Sequence, residues 1–313
     1  MIRHLHPTDS PRLLAFKQAT GRVEAFTLSQ AVLGTARQFS AVKFASIALS
    51  PRAWESCWTK TSRARIQAVL TAGPRAGPLA WEVRELYVRR AYVHEVWDVL
   101  EQLAVPAGRA GARRVFIRLS QGSPLFDQAR RAGYSPTLSE TLYRAPSAAE
   151  ALERLGTMEA PSGLRPRTRE DDEALFRLYC STTPVESRLG RGQTHEEWAH
   201  AIEQPGKRPV EWVLDGASGH ITALVQSADV NAGRYFGAAW SNDCAADAAS
   251  LIGAALSGGR PGAAAMTLVP AHAAALRSLL EDIGFETVQS YDMLTKVLAA
   301  PVMEARRVMA AVG

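Results

Sequence analysis

The sequence predicts a mixed α/β protein in which one unit of helices packed on a mixed sheet occurs twice in tandem. Two observations lead there. First, Val115–Ala145 (VFIRLSQGSPLFDQARRAGYSPTLSETLYRA) aligns without a gap on Met266–Lys296 (MTLVPAHAAALRSLLEDIGFETVQSYDMLTK). Both stretches read as a buried strand, a loop, an amphipathic helix, a glycine, an aromatic residue and a second strand. Second, IRHLHPTDSPRLLAF at Ile2 and LRPRTREDDEALFRL at Leu164 share a plan of short strand, polar turn and helix with acidic N-terminal residues. A chain of 313 residues is long for one core and sufficient for two of about 150 residues each.

Each element can be justified in order. After the opening strand and helix, AWEVRELYV (Ala80–Val88) reads as a strand, followed by a helix over YVHEVWDVLEQL. Val93, Val96, Trp97, Leu100 and Leu103 form the apolar stripe of that helix at helical spacing. Gly133 and Gly284 fall just past helix ends, where a residue of positive φ is needed; Tyr134 and Phe285 then start the return strands. APSAAEALERLGTMEAPSG (Ala145–Gly163) has Pro, Ser and Gly at its ends and a helix-prone middle, the pattern of a linker. It divides the chain into an N-terminal unit (1–146), a linker (147–162) and a C-terminal unit (163–313). In the second unit, VEWVLDGASGHITALVQ (Val210–Gln226) alternates apolar and polar residues around a DGASG turn, a hairpin signal. RYFGAAW (Arg234–Trp240) is the next strand and CAADAASLIGAAL (Cys244–Leu256) the next helix.

Composition narrows the function classes. The net charge of +5 comes from arginine spread along the chain, without a Lys/Arg run or basic and aromatic interleaving, which argues against nucleic-acid binding. No apolar run approaches the roughly 18 residues of a membrane span. The opening MIRHLHPTDS has no apolar core of a secretory signal. Cys57, Cys180 and Cys244 are isolated, which argues against a disulfide framework or a structural zinc site and places the chain in a reducing compartment, the cytoplasm by default.

WEVRELYV followed by a helix, GARRVFIRL (Gly111–Leu119), SPLFDQARRAGY (Ser123–Tyr134) and AAALRSLLEDIGF (Ala273–Phe285) together resemble the GNAT superfamily of acyl-CoA-dependent N-acyltransferases, in tandem. The resemblance covers almost the whole chain as element order. It implies two GNAT-like domains and an acyl-CoA co-substrate, acetyl-CoA by default, lying between two splayed strands. The acceptor would be a small amine, a peptide N-terminus or a lysine, and no metal is implied. The family's pyrophosphate loop, Q/R-x-x-G-x-G/A, would fall on VRRAYVHE (Val88–Glu95) or WSNDCAAD (Trp240–Asp247); neither contains a glycine. Arg89 and Arg90 add positive charge beside a helix start, whereas Asp243 and Asp247 would cap theirs and repel phosphate. The first junction is therefore the expected cofactor site, with Leu86, Tyr87, Val88, Arg89 and Arg90 along the thioester. The family's thiol-protonating tyrosine, four residues before the glycine, is replaced by Ala129 and Leu280. These departures keep a second reading open: a catalytically inactive GNAT-fold protein that binds a small ligand or a protein partner. It would be distinguished by bulky groups, Trp97 among them, filling the gap between the splayed strands.

Glu85 is the candidate base. Strict alternation puts it on one strand face with Trp81, Val83 and Tyr87, where burial would suit it to deprotonate an ammonium; the alternative is an ion pair with an arginine such as Arg118. RLGRGQT (Arg188–Thr194) reads as a flexible loop leading to Thr194 as N-cap with Glu197 as its partner; the GNAT resemblance implies that this loop would border the acceptor pocket. His195 and His200 in HEEWAH are five positions apart, about 140° around a helix, so they cannot share a metal.

Overall fold

The computed structural model describes residues 2–18, 24–33, 38–49, 57–63, 65–156, 158–204, 209–216, 219–230, 233–260 and 262–298. The first unit runs β1 (Ile2–His4), α1 (Ser10–Lys17), α2 (Leu28–Leu33), α3 (Ala41–Leu49), β2 (Cys57–Ser62), β3 (Arg65–Pro74) and β4 (Ala80–Val88). It continues with α4 (Trp97–Gln102), α5 (Ala104–Arg109), β5 (Arg114–Ser120), α6 (Phe126–Arg131) and β6 (Ser135–Ala145). After α7 (Ala148–Leu155), the second unit repeats the plan with β7 (Leu164–Pro166), α8 (Asp172–Thr182), α9 (Val185–Arg191), α10 (His195–Ala201), β8 (Val210–Asp215) and β9 (Ile221–Val230). It ends with β10 (Gly233–Trp240), α11 (Ala248–Leu256), β11 (Ala265–Pro270), α12 (Ala274–Asp282) and β12 (Glu286–Val297).

The repeat is visible down to single side chains. Arg3 holds Asp9 through two bonds of 2.7 and 2.6 Å, and Asp9 accepts the His6 N–H at 3.0 Å. Arg165 holds Asp171 at 2.9 and 2.8 Å, and Asp171 accepts the Thr168 N–H at 2.7 Å. In both units a strand arginine thus clamps the carboxylate that starts the first helix. Gly133 and Gly284 have φ of 87° and 88°, and each follows a helix end as the pattern predicts. Tyr134 and Phe285 are buried in the cores beneath their return strands.

Two local readings are corrected. The helix expected over YVHEVWDVLEQL is a 3-10 turn (Arg90–Glu95) followed by α4 and α5. Pro106 has no N–H to return to the carbonyl of Gln102, so the helix is interrupted at Leu103. The RLGRGQT segment is helical through Arg191 rather than a loop. Thr194 does cap α10, accepting the Glu197 N–H at 3.3 Å, while the Glu197 carboxylate takes the Gln193 N–H at 3.1 Å. The helix-prone middle of the linker stretch is α7, capped by Ser147 and packed on α11 with Ala148 and Ala151 buried.

All strands join one 12-stranded sheet of order β1-β2-β3-β4-β5-β12-β6-β11-β10-β9-β8-β7. The last strand of each unit has crossed into the other: β12 lies between β5 and β6, while β6 lies between β12 and β11. The helices cross over too. The core under α1–α3 includes Tyr235, Met266 and Leu268 from the second unit. Ala201 of α10 packs against Ala80 and Phe116 of the first. The units therefore face each other across β6 and β12.

Candidate active site

Each unit contains one parallel strand pair that starts together and then parts. β4 and β5 pair only from Ala80–Glu82 against Arg114–Phe116. β10 and β11 pair only at Arg234–Ala265 and Tyr235–Met266. Beyond those points the two gaps differ. In the first, the chain's own segment enters: the Glu24 N–H donates to the Leu86 carbonyl at 2.9 Å, and the Phe26 N–H to the Arg118 carbonyl at 3.0 Å. Ala25 forms an isolated bridge with Leu119 and is fully buried. A stretch of backbone thus serves as an extra strand between β4 and β5. Trp97 does not fill this gap; its ring lies beneath the Arg131 guanidinium, 4.3 Å away.

The gap between β10 and β11 has no such bridge among the described residues. Instead it opens into a cavity of about 400 Å³ lined by Gly237–Trp240 of β10, Pro270 at the end of β11, His272 after it, and residues of α8–α10, β6 and β12. The asymmetry has a sequence origin. The connection from α8 to α9 is only Thr183 and Pro184, whereas α1 and α2 are separated by residues 18–27. That longer connection supplies the segment that closes the first gap, a length difference the sequence carries openly.

The residues expected at the first junction therefore have other partners. A register shift opposite Arg84 breaks the strict alternation, putting Val83 with Leu86 and Val88 in one core and Tyr87 in the other. Glu85 is 2% exposed, 2.5 Å from Lys43 Nζ and 3.4 Å from Gln30 Nε2, beneath α2 and α3 and away from the cavity lining. Its ion-pair partner is Lys43, not Arg118. Arg89 donates through Nε to the Ile66 carbonyl at 2.7 Å and through Nη2 to Ala15 at 3.3 Å, which ties β3 to α1. Arg90 is exposed at the start of the 3-10 turn.

The cavity floor is a buried charge network that sequence reasoning missed, because its members are far apart in the chain. Arg118, 1% exposed, bonds Glu140 at 3.0 Å and both oxygens of Glu203 at 2.9 and 2.6 Å. Arg75 lies 3.5 Å from Glu203 and 3.2 Å from Glu82, with its guanidinium 3.9 Å above the Phe116 ring. Burial favours protonation of Glu203, but the two guanidiniums outweigh it and hold the carboxyl well below its ordinary range. Burial opposes the charge on Arg118, and the two carboxylates more than restore it. Glu203 is thus a locked anion rather than a proton acceptor.

At the mouth, His272 is the group suited to accept a proton. Burial, reinforced by the Arg191 charge, lowers its pKa, so the imidazole is neutral near pH 7. Leu280 and Ala129, at the positions of the family's tyrosine, are fully buried and do not line this cavity. The helix start after β10 is a 3-10 turn (Asn242–Asp247) with Ser241 at its cap and Asp243 exposed in its first turn. No cluster of His, Cys, Asp and Glu able to hold a metal occurs among the described residues. Nor is any helix among them long and apolar enough to cross a membrane.

Comparison with solved structures places this architecture. A GCN5-related N-acetyltransferase from Sphaerobacter thermophilus superposes over 95% of this chain and 95% of its own, with a TM-score of 0.52 at 16% identity. The fold is a tandem GNAT fold. A conserved protein of unknown function from Staphylococcus epidermidis matches 77% of the chain and 94% of its own at a TM-score of 0.52 and 10% identity. A tandem GNAT protein of the clavulanic acid biosynthesis pathway is similar over 95% and 98% of the two chains, at a TM-score of 0.48 and 12% identity. No protein-family model and no curated protein matches the sequence. Within the repeated plan, the parting of β10 from β11 corresponds to the parting of β4 from β5, and among the described residues only the former is open.

Proposed function

We propose that this tandem GNAT-fold chain is an acyl-CoA-dependent N-acyltransferase, acetyl by default, whose chemistry occurs in the C-terminal unit. The open gap between β10 and β11 carries the reading. Past Tyr235, the β10 edge that faces the gap has no strand neighbour among the described residues, so its backbone can pair with an extended chain bearing amides. The pantetheine arm of coenzyme A is such a chain. The first gap is already occupied by Glu24–Phe26, which makes the first unit the scaffold.

In this reading the acceptor enters the cavity as an ammonium and gives a proton to neutral His272. The amine nitrogen then attacks the thioester carbonyl, and a β10 N–H stabilises the oxyanion. The C–N bond forms, the C–S bond breaks, and the thiolate takes the remaining amine proton through water. The imidazolium, which lies at the exposed mouth, returns its proton to solvent. The locked anion Glu203, held by Arg118, gives the floor a fixed field without taking part in proton transfer.

Calorimetric titration with acetyl-CoA tests the location. Wild-type protein and Arg90→Ala are expected to bind alike, whereas Ala239→Trp, an exposed β10 position at the mouth, abolishes binding. Loss of binding in Arg90→Ala with retention in Ala239→Trp would return the site to the first junction, and no binding by wild-type protein would favour the ligand-binding reading. The base has its own signature. Because burial lowers the His272 pKa in the free protein, the acid limb of kcat/KM falls at lower pH than an unperturbed imidazole would give. His272→Ala should remove that limb and lower kcat about 100-fold; an unchanged profile in the variant would discard His272 as the base.

A further inference from the structure

Every carboxylate lining the cavity has a guanidinium partner. Glu140 is held by Arg118, Glu203 by Arg118 and Arg75, and Glu211 by Arg167, which also takes Asp172 at 2.5 Å. Among the lining guanidiniums, Arg75 and Arg167 are consumed by these pairs. Arg191 is different: no hydrogen bond or ion pair to any described residue is formed by its side chain. Among the described residues, Arg191 is thus the lining guanidinium that no carboxylate bonds directly. A half-buried unpaired guanidinium with five donors calls for an anion, and a carboxylate matches its fork.

Its placement is built rather than incidental. α9 lies on β6 and β12 through Gly190, where a Cβ would come within 2.2 Å of Thr137, so only glycine lets the helix sit this close. Gly192 follows at φ 157°, where a Cβ would meet the Trp198 nitrogen at 2.7 Å. The two glycines of RLGRGQT thus bracket Arg191 and hold it over the cavity. Arg191 lines the same cavity as Tyr179, Glu203, Tyr235 and His272. The remaining walls are apolar, with Leu175, Leu178, Trp198, Leu268 and Met293 among them.

We infer that Arg191 binds the carboxylate of the acceptor, and that the acceptor is an apolar or aromatic α-amino acid. The inference rests on the acyltransferase reading for the acceptor's role, but not for the site. Arg191 is carried by α9, which packs on β6 and β12, whereas the thioester is assigned to the β10 edge, so the anion it serves is assigned to the second substrate. The amino group is then left toward His272, and the side chain against the apolar walls.

The test is calorimetric titration of the full chain with L-phenylalanine, 2-phenylethylamine and 3-phenylpropionate, in wild type and Arg191→Ala, followed by turnover with acetyl-CoA and with succinyl-CoA. Phenylalanine is expected to bind wild type roughly 10- to 100-fold more tightly than phenylethylamine, and Arg191→Ala should remove that difference. Arg191→Lys, which keeps the charge but not the fork, should fall between. Equal binding of phenylalanine and phenylethylamine, no binding of any of the three, or no effect of Arg191→Ala would overturn the inference. So would a variant impaired only toward the succinyl donor, since the carboxylate would then be that of the acyl group. Carboxylate-dependent binding without acyl transfer from either donor would refute the acyltransferase reading and leave the Arg191 site standing.

Discussion

Arg118→Met is expected to destabilise the protein by about 3–5 kcal/mol, a fall of roughly 10 °C in Tm. Arg118 is 1% exposed and holds two carboxylates that are themselves below one-tenth exposed. Removing it strands Glu140 and strips Glu203 of its main partner, where the low dielectric makes an uncompensated charge expensive. The gain when the network is intact is smaller, because burying four or five charges costs much of what their attraction returns. Adding Glu140→Gln and Glu203→Gln to Arg118→Met should therefore recover most of the stability, with Arg75 keeping Glu82 as its partner. Thermal denaturation of the single and triple variants checks this. A single variant within 1 kcal/mol of wild type would mean that water or a counter-ion enters the floor and solvates it.

Separating the two units is expected to be more damaging still. A chain ending at residue 146 retains β6 but loses both of its strand neighbours, β11 and β12, and leaves β5 with an open edge. It also exposes the face of α1–α3 that covers Tyr235, Met266 and Leu268. Such a fragment should aggregate, or pair with a second copy by exchanging β6 as the two units exchange strands in the full chain. The intact protein should accordingly unfold in a single calorimetric transition. A monomeric, folded 1–146 fragment, or two separate transitions in the full chain, would show that the crossed strands contribute little. Size-exclusion chromatography with circular dichroism reads out the first, and scanning calorimetry the second.

The local plan was legible because it rests on interactions short in sequence. Period-2 and period-3.6 patterns give β4, β10, α11 and α12, and the glycines at 133 and 284 mark helix ends because only a residue tolerant of positive φ terminates a helix there. The ungapped repeat gave the tandem arrangement. What misled was strict alternation along β4. A one-residue bulge at Arg84 transfers every side chain before it to the other face, so Glu85 lost its expected neighbours and joined Lys43 and Gln30. The arginines of the first junction are attractive to phosphate in sequence, but Arg89 spends its donors on the Ile66 and Ala15 carbonyls.

The sequence by itself determined the two-unit plan, the element order and the resemblance to the GNAT fold, since these follow from side-chain periodicity and from turn and cap chemistry within about 30 residues. Only the tertiary structure decided which gap is open, which charges meet and which arginine remains free. Those outcomes depend on strands exchanged between units and on a segment near residue 25 threaded between β4 and β5. Arg118, Glu140 and Glu203 lie 22 and 85 positions apart, and nothing local to any of them specifies the others. Burial brings them together, and once they are dry each must find its partner because water no longer competes.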